Sequence, residues 1–134
     1  MKAKIENSGT VLVITVFVVA LLSAVIIGIL QMTTEEIQIM SNQVYAAEAL
    51  ATAEAGLNDA FAELRDDSSW GTGFTDKAFN GGSYTVDVSG SLPSLTIEST
   101  GTRPQGYIAQ VDADTTIGTS NPYTVTIDEL RINE

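Results

Sequence analysis

The stretch that most limits what this chain can become is Val11 to Leu30, VLVITVFVVALLSAVIIGIL, twenty residues without a charge. Its only polar side chains are Thr15 and Ser23. At about 1.5 Å of rise per residue, a helix of that length is roughly 30 Å long, the thickness of a bilayer's hydrocarbon core. In lipid the backbone must satisfy its own hydrogen bonds, so a lone apolar run of this kind is helical, whatever its β-branched content would favour in water. Lys2 and Lys4 precede the run, and Glu35 and Glu36 follow it. That asymmetry predicts a cytoplasmic N-terminus, with the chain from about Gln31 onward outside. The expectation is a single-pass protein of the cell (inner) membrane.

The head of the chain, MKAKIENSG, reads as a short basic leader. A secretory signal has an apolar stretch of about 7 to 15 residues followed by small residues at a cleavage site. Here the run is longer, and its small residues Ser23 and Ala24 sit inside it, followed by Val-Ile-Ile. The run is therefore expected to be retained. Gly9 separates the polar leader from the apolar helix.

Beyond the run, apolar residues recur at Ile37, Met40, Val44, Ala47, Leu50, Ala53, Leu57, Phe61 and Leu64. Steps of three and four are helical. No proline falls between Val11 and Leu64, and the segment is rich in Ala, Glu and Leu, which favour helix interiors. One continuous helix of about 54 residues is predicted, roughly 80 Å long, with Gly56 as a weak point costing about 1 kcal/mol relative to alanine and marking a bend or a close contact. Arg65 to Ser69 ends it. The small residues Ala46, Ala47, Ala49, Ala51, Ala53, Ala55 and Gly56 would admit other helices closely; for any single alanine, good helix propensity is the simpler account.

The pattern then switches to period two. Candidate strands are Ser83–Val88 after the turn signal Gly81-Gly82, Leu95–Thr100, Tyr107–Thr116, and Tyr123–Asp128 with a continuation through Ile132. Trp70, Phe74 and Phe79 are expected to plug the seam between helix and sheet. The fold class is α+β: one long N-terminal helix, its inner half transmembrane and its outer half packed on a small antiparallel sheet of about four strands. The expected division is a basic leader at 1–9, the transmembrane half of the helix at 10–30, its extracytoplasmic half at 31–66, and the β domain at 67–134.

Outside the membrane, sixteen acidic residues stand against Arg65, Lys77, Arg103 and Arg131, a formal charge of −12. Such a surface repels phosphate backbones, so no nucleic acid is expected as a partner. The chain has no cysteine and no histidine. That removes disulfide staples, the commonest general base and the usual catalytic triads. No serine or carboxylate sits in a nucleophile motif, and Gly71-Thr72-Gly73 lacks the surroundings of a phosphate loop. Glu48 and Glu54, six apart on a helix, do not face each other and read as solvated or interfacial. Asp112 and Asp114 share one face of a strand, and with Asp128 or Glu129 beside them they are calcium candidates through oxygen ligands. Without a loop of carbonyls the preferred reading is a solvated acidic face, so no metal, no cofactor and no enzymatic activity are expected.

The order of these parts resembles type IV pilins and pseudopilins: a basic leader ending in glycine, an apolar helix running into an amphipathic one, then a small sheet. Gly9-Thr10-Val11-Leu12-Val13 is similar to the prepilin-peptidase junction of the PilX-type minor pilins. Ala53-Glu54-Ala55-Gly56-Leu57 resembles a segment common in that group, and Leu95 to Gly101 resembles a strand ending in Ser-Thr-Gly found in pseudopilin sheets. The resemblance implies cleavage between Gly9 and Thr10, N-methylation of the new amine, and assembly through Val11, Leu12, Val13, Ile14, Phe17, Leu21, Leu22, Ile26, Ile29 and Leu30. It implies as partners other pilin or pseudopilin subunits, the prepilin peptidase, an ATP-driven assembly platform and the lipid bilayer. Two positions depart from the major-pilin pattern: Thr10 stands where Phe is usual, and Ile14 stands where a Glu pairs with a neighbour's N-terminal amine. The departure at Ile14 implies a minor or tip-like subunit. The alternative is an unprocessed signal-anchored protein whose acidic domain binds a partner or cation.

Overall fold

The structure, a computed structural model, describes residues 8–133. Lys2 and Lys4, and most of the expected leader, lie outside the described residues. The first element, α1, runs unbroken from Ser8 to Asp66, 59 residues, about 88 Å at 1.5 Å per residue. It is longer than predicted at both ends. Ser8, Gly9 and Thr10 are tolerated because the first turn's N–H groups have no intrahelical partner to lose. Arg65 in the last turn suits the negative end of the helix dipole. Termination is local: the Asp67 carboxylate accepts from the Ser69 N–H at 2.9 Å and hydroxyl at 2.6 Å. This side-chain turn replaces further helix.

The chain divides into two compact units, 1–41 and 42–134, with α1 contributing to both. In the first, every described residue from Gly9 to Met40 is exposed. In the second, five strands follow the helix: β1 (Phe74–Phe79), β2 (Gly82–Ser91), β3 (Ser94–Thr102), β4 (Ile108–Ile117) and β5 (Val125–Asn133). They form one antiparallel meander in the order β1-β2-β3-β4-β5. The sheet has one strand more than sequence reasoning gave it. Phe74–Phe79 hides its alternation because Asp76 sits at φ 46° and shifts the register between Phe74 and Lys77. It is joined to β2 by Asn80-Gly81, both at positive φ, the two-residue hairpin turn whose twist suits paired strands. Tyr123 falls before β5 rather than in it; its N–H caps the helix by donating to the Arg65 carbonyl at 3.1 Å.

The core lies between α1 and one face of the sheet. Leu57 and Leu64 pack with Tyr84, Val86, Ile97, Val111 and Ile117. Between them the helix buries a row of small residues: Ala49, Ala53 and Ala60 have no exposed surface. Helix propensity alone therefore does not account for these alanines. They let the backbones approach. A Cβ on Gly101 would run into the Ala49 carbonyl and the Ala53 nitrogen, and one on Gly56 would meet Ser99 Oγ and the Tyr84 ring. Ser99 Oγ donates to the Ala53 carbonyl at 2.7 Å across this contact. The expected stripe splits accordingly: Ala53, Leu57 and Leu64 are buried, Leu50 and Phe61 half-buried, while Val44 and Ala47 are exposed. Of the aromatic plugs, Trp70 and Phe74 pack against the core with ring centroids 5.1 Å apart, whereas Phe79 is 43% exposed.

Candidate functional site

The residues expected to carry assembly form the bare part of α1. Exposure from Val11 to Leu30 runs from 46% at Val18 to 66% at Leu12 among the large apolar residues, with Ile14, Phe17, Leu21, Leu22, Ile26 and Ile29 inside that range. They occupy every side of the cylinder, since they fill nearly every position of more than five turns. A helix apolar all round is stable only when something apolar surrounds it. Its best eighteen-residue window has a mean hydropathy of 3.0, long and apolar enough to cross a membrane. Thr15 and Ser23 do not break that surface. Each hydroxyl donates to the carbonyl one turn back, Val11 and Val19, at 2.8 Å, so neither brings an unsatisfied donor into lipid. Thr33 and Thr34 repeat the device on Ile29 and Leu30.

Gly9 and Thr10 are exposed in the first turn of α1. Both residues belong to the described part of the helix, Ser8–Asp66. A side chain at Gly9 would touch nothing within 4 Å.

Several polar groups of the second unit pair with one another across the helix–sheet seam. Lys77 and the Tyr84 hydroxyl both donate to Asp59. These bonds, Lys77's first, hold the Asp59 carboxyl below the usual carboxylate range, and the same carboxylate raises Lys77. Burial, then Asp59, pushes the Tyr84 phenol up. Lys77 also stands 4.3 Å over the Phe74 ring.

Arg103, which the sequence reading counted only as charge, is 9% exposed. It donates to Glu48 and, at 2.6 Å, to the Asn80 carbonyl. Glu48 is therefore interfacial, an ion-pair partner across the helix–sheet seam, and Glu54 is the solvated one. No signal in the sequence links positions 48 and 103, because the pairing depends on how the sheet crosses the helix. The loop that follows Arg103 is tied to α1 by Tyr107, whose hydroxyl donates to Asn42 at 2.6 Å.

The calcium candidates share a face but do not converge. Asp112 stands opposite Arg131 in the β4–β5 register, and Asp114 is bonded to that guanidinium at 3.0 Å and to the Thr96 hydroxyl at 2.7 Å. The Thr96 bond, then Arg131, holds the Asp114 carboxyl low. Asp112 accepts from Gln110 at 2.9 Å, and Asp128 from Thr116 at 2.7 Å. The guanidinium already pairs with Asp114 and Glu129. Among the described residues no three Asp or Glu side chains come together to hold a metal ion. Gly71 to Gly73 lead into β1, Gly73 packing on the Val86 carbonyl at φ 65°. No family model, no curated protein and no solved structure matches this chain.

Proposed function

We propose that this chain is a pilin-like structural subunit, a minor or tip-like member of a type IV pilus or pseudopilus-type filament, stored in the membrane and assembled through its apolar helix. The observation that carries the reading is one unbroken helix, Ser8–Asp66, apolar and bare on all sides in its first half and clamped to a five-stranded sheet in its second. Burying an apolar side chain of this size is worth about 1.5–3 kcal/mol, so the run as a whole gains tens of kcal/mol from any apolar surrounding. Lipid and a bundle of like helices are both such surroundings, and water is not. A segment of this kind can be handed from one to the other without exposure between them.

Two further features support the reading. Gly9-Thr10 lies at the helix start, where unwinding a turn breaks few hydrogen bonds. The two stretches that carry the family likeness, Ala53–Leu57 and the Ser99-Thr100-Gly101 strand end, meet in one contact through Ser99, Gly56 and Gly101. Lys2 and Lys4 before the span and Glu35 and Glu36 after it orient the N-terminus to the cytoplasm. Intact mass and N-terminal sequencing of protein from its native cells test the proposal. A chain beginning at Thr10, with or without a methyl group, is expected. A membrane-bound chain still carrying residues 1–9 refutes processing and leaves a plain signal-anchored protein.

A further inference from the structure

The second unit carries its charge unevenly. Ser68 to Thr75, Val88 to Ile97 and Thr115 to Ile127 contain no charged residue, in a region whose formal charge is −12. These stretches hold the α1–β1, β2–β3 and β4–β5 connections and the strand ends beside them. Hydrogen bonds gather them where α1 terminates: the Tyr123 N–H donates to the Arg65 carbonyl at 3.1 Å, and the Ile117 N–H to the Pro93 carbonyl at 2.8 Å. The opposite end of the sheet is different. Its connections are Asn80-Gly81 and Arg103–Tyr107, and the Arg103–Glu48 ion pair sits there.

Two clefts open among the charge-free connections. One, of about 410 Å³, has Pro93, Thr119 and Tyr123 in its lining; the other, of about 360 Å³, has Ser69, Trp70 and Ser91. Ser68 and Leu92 line both, so the two adjoin. Each is of the size that takes a small ligand. No charged residue lines either. Each holds one half-buried aromatic side chain, Tyr123 or Trp70, beside exposed hydroxyls, Thr119 in the first and Ser69 and Ser91 in the second. Both aromatics are backed by the core, Trp70 with its ring 5.1 Å from that of Phe74.

Tyr and Trp give rigid contact area with little side-chain entropy to lose, while Ser and Gly supply short hydrogen-bonding groups that adapt to a ligand. The geometry points to a binding site for a neutral oligosaccharide, one sugar ring set against Tyr123 and another against Trp70. A sugar ring has apolar C–H faces and a rim of hydroxyls. An aromatic ring flanked by hydroxyl side chains complements both parts. Thr119 and Ser91 are placed to bond the ring hydroxyls, one in each cleft.

Other ligand classes fit these clefts less well. A cation finds no carboxylate in the lining. An anion finds no basic group there, and the surrounding acids repel it. A lipid tail would bury the lining hydroxyls without partners, which is unfavourable. An extended peptide binds by adding to an open strand edge, but the strand ends that line the clefts belong to β2, β3 and β4. Those backbones are already paired: Gly90 with Leu95, Ser91 with Ser94, and Leu95 with Thr115. The inference stands apart from the proposed function, since the clefts lie wholly in the second unit and would serve a plain anchored protein equally.

The test uses the full chain in phosphatidylcholine nanodiscs, because a sugar-headed detergent would compete. It is titrated with maltoheptaose and with chitohexaose, both neutral, while saturation transfer to the sugar protons and Trp70 emission are read. At least one of the two is expected to bind, with transfer strongest at ring C–H protons and Trp70 responding at the same half-saturation. Ser91→Arg and Thr119→Arg, at exposed positions in separate clefts, should each weaken binding about ten-fold. Unchanged Trp70 emission without sugar checks that these variants are folded. Gln105→Arg adds the same charge at the other end of the sheet and should leave binding as it was. No transfer to either sugar, equal binding of an anionic oligogalacturonate, or binding untouched by both cleft variants each overturns the assignment.

Discussion

Replacing Gly56 by alanine sets two effects of opposite sign against each other. In an exposed helix interior the change gains about 1 kcal/mol, because glycine loses more backbone freedom on folding. At Gly56 the new methyl group would lie 2.5 Å from Ser99 Oγ and 2.7 Å from Tyr84 Cδ2. Neither neighbour is free to retreat. Ser99 Oγ is bonded to the Ala53 carbonyl, and Tyr84 is held by Asp59 through its hydroxyl and flanked by Phe74 and Phe79 at ring distances of 6.0 and 6.3 Å. Overpacking of this kind costs about 1–3 kcal/mol, and rotating Ser99 away forfeits a hydrogen bond worth about 1 kcal/mol. Set against the propensity gain, Gly56→Ala is expected to destabilise the second unit by about 1–3 kcal/mol.

The assay is urea unfolding of the full chain in detergent micelles, followed through Trp70, the sole tryptophan, which packs on Phe74 at 5.1 Å. A lowered midpoint with an unchanged slope is expected, and on heating a fall of about 4–8 °C per kcal/mol for a unit of this size. Adding Ser99→Ala should cost less in the Gly56→Ala background than in the wild type, since the oxygen being removed is one of the two obstacles. A Gly56→Ala variant that is about 1 kcal/mol more stable than wild type would refute the close helix–sheet approach.

Three other outcomes follow from named contacts. Glu48→Ala leaves the buried Arg103 guanidinium with only Asn80 as its acceptor and should cost about 1–3 kcal/mol, whereas Arg103→Met leaves a carboxylate that can turn to water and should cost less; the order of the two urea midpoints checks this. Asp59 and Asp114 have folded pKa values below their unfolded ones, so the stability they lend is fully present above about pH 4 and is lost as pH falls through the folded values. The gap between wild type and Asp59→Asn should therefore narrow below pH 4. Lys77 and Tyr84 are raised, so their share is present below the unfolded values and fades as pH rises through the folded ones, which alkaline unfolding curves check. In the span, Leu21→Arg and Leu22→Arg together should cost about 6–8 kcal/mol of insertion free energy and release chain from the membrane pellet at alkaline carbonate wash.

Much of this architecture was legible because its signals are local. A twenty-residue uncharged run admits one structure in lipid, and strands β2 to β4 announce themselves by alternation between turn residues. β1 was missed because Asp76, at positive φ, breaks the period that would have betrayed it. The helix's buried face is only partly legible, for a different reason. The stripe read from spacing contains Ala53, Leu57 and Leu64, which are buried, but not Ala49, Gly56 and Ala60, whose use is to be small where Ser99 and Gly101 arrive. That fact belongs to the pairing of two segments and is invisible in either alone. The same holds for Glu48 with Arg103, and for Arg131 settling between the acids that had suggested calcium.

The meander wiring bears on how this chain reaches its native state. Each strand pairs with its sequence neighbour through a short connection, so every ladder closes over a short loop. Asn42 to Asp66 is synthesised before any strand and is rich in alanine, which favours the helix without help from the sheet. The one closure over a long separation is the seam itself, where Ser99 meets Ala53 across 46 residues. Contacts of long separation are the slow ones in small domains. Refolding speed should therefore respond to changes at the Gly56–Ser99–Gly101 corner.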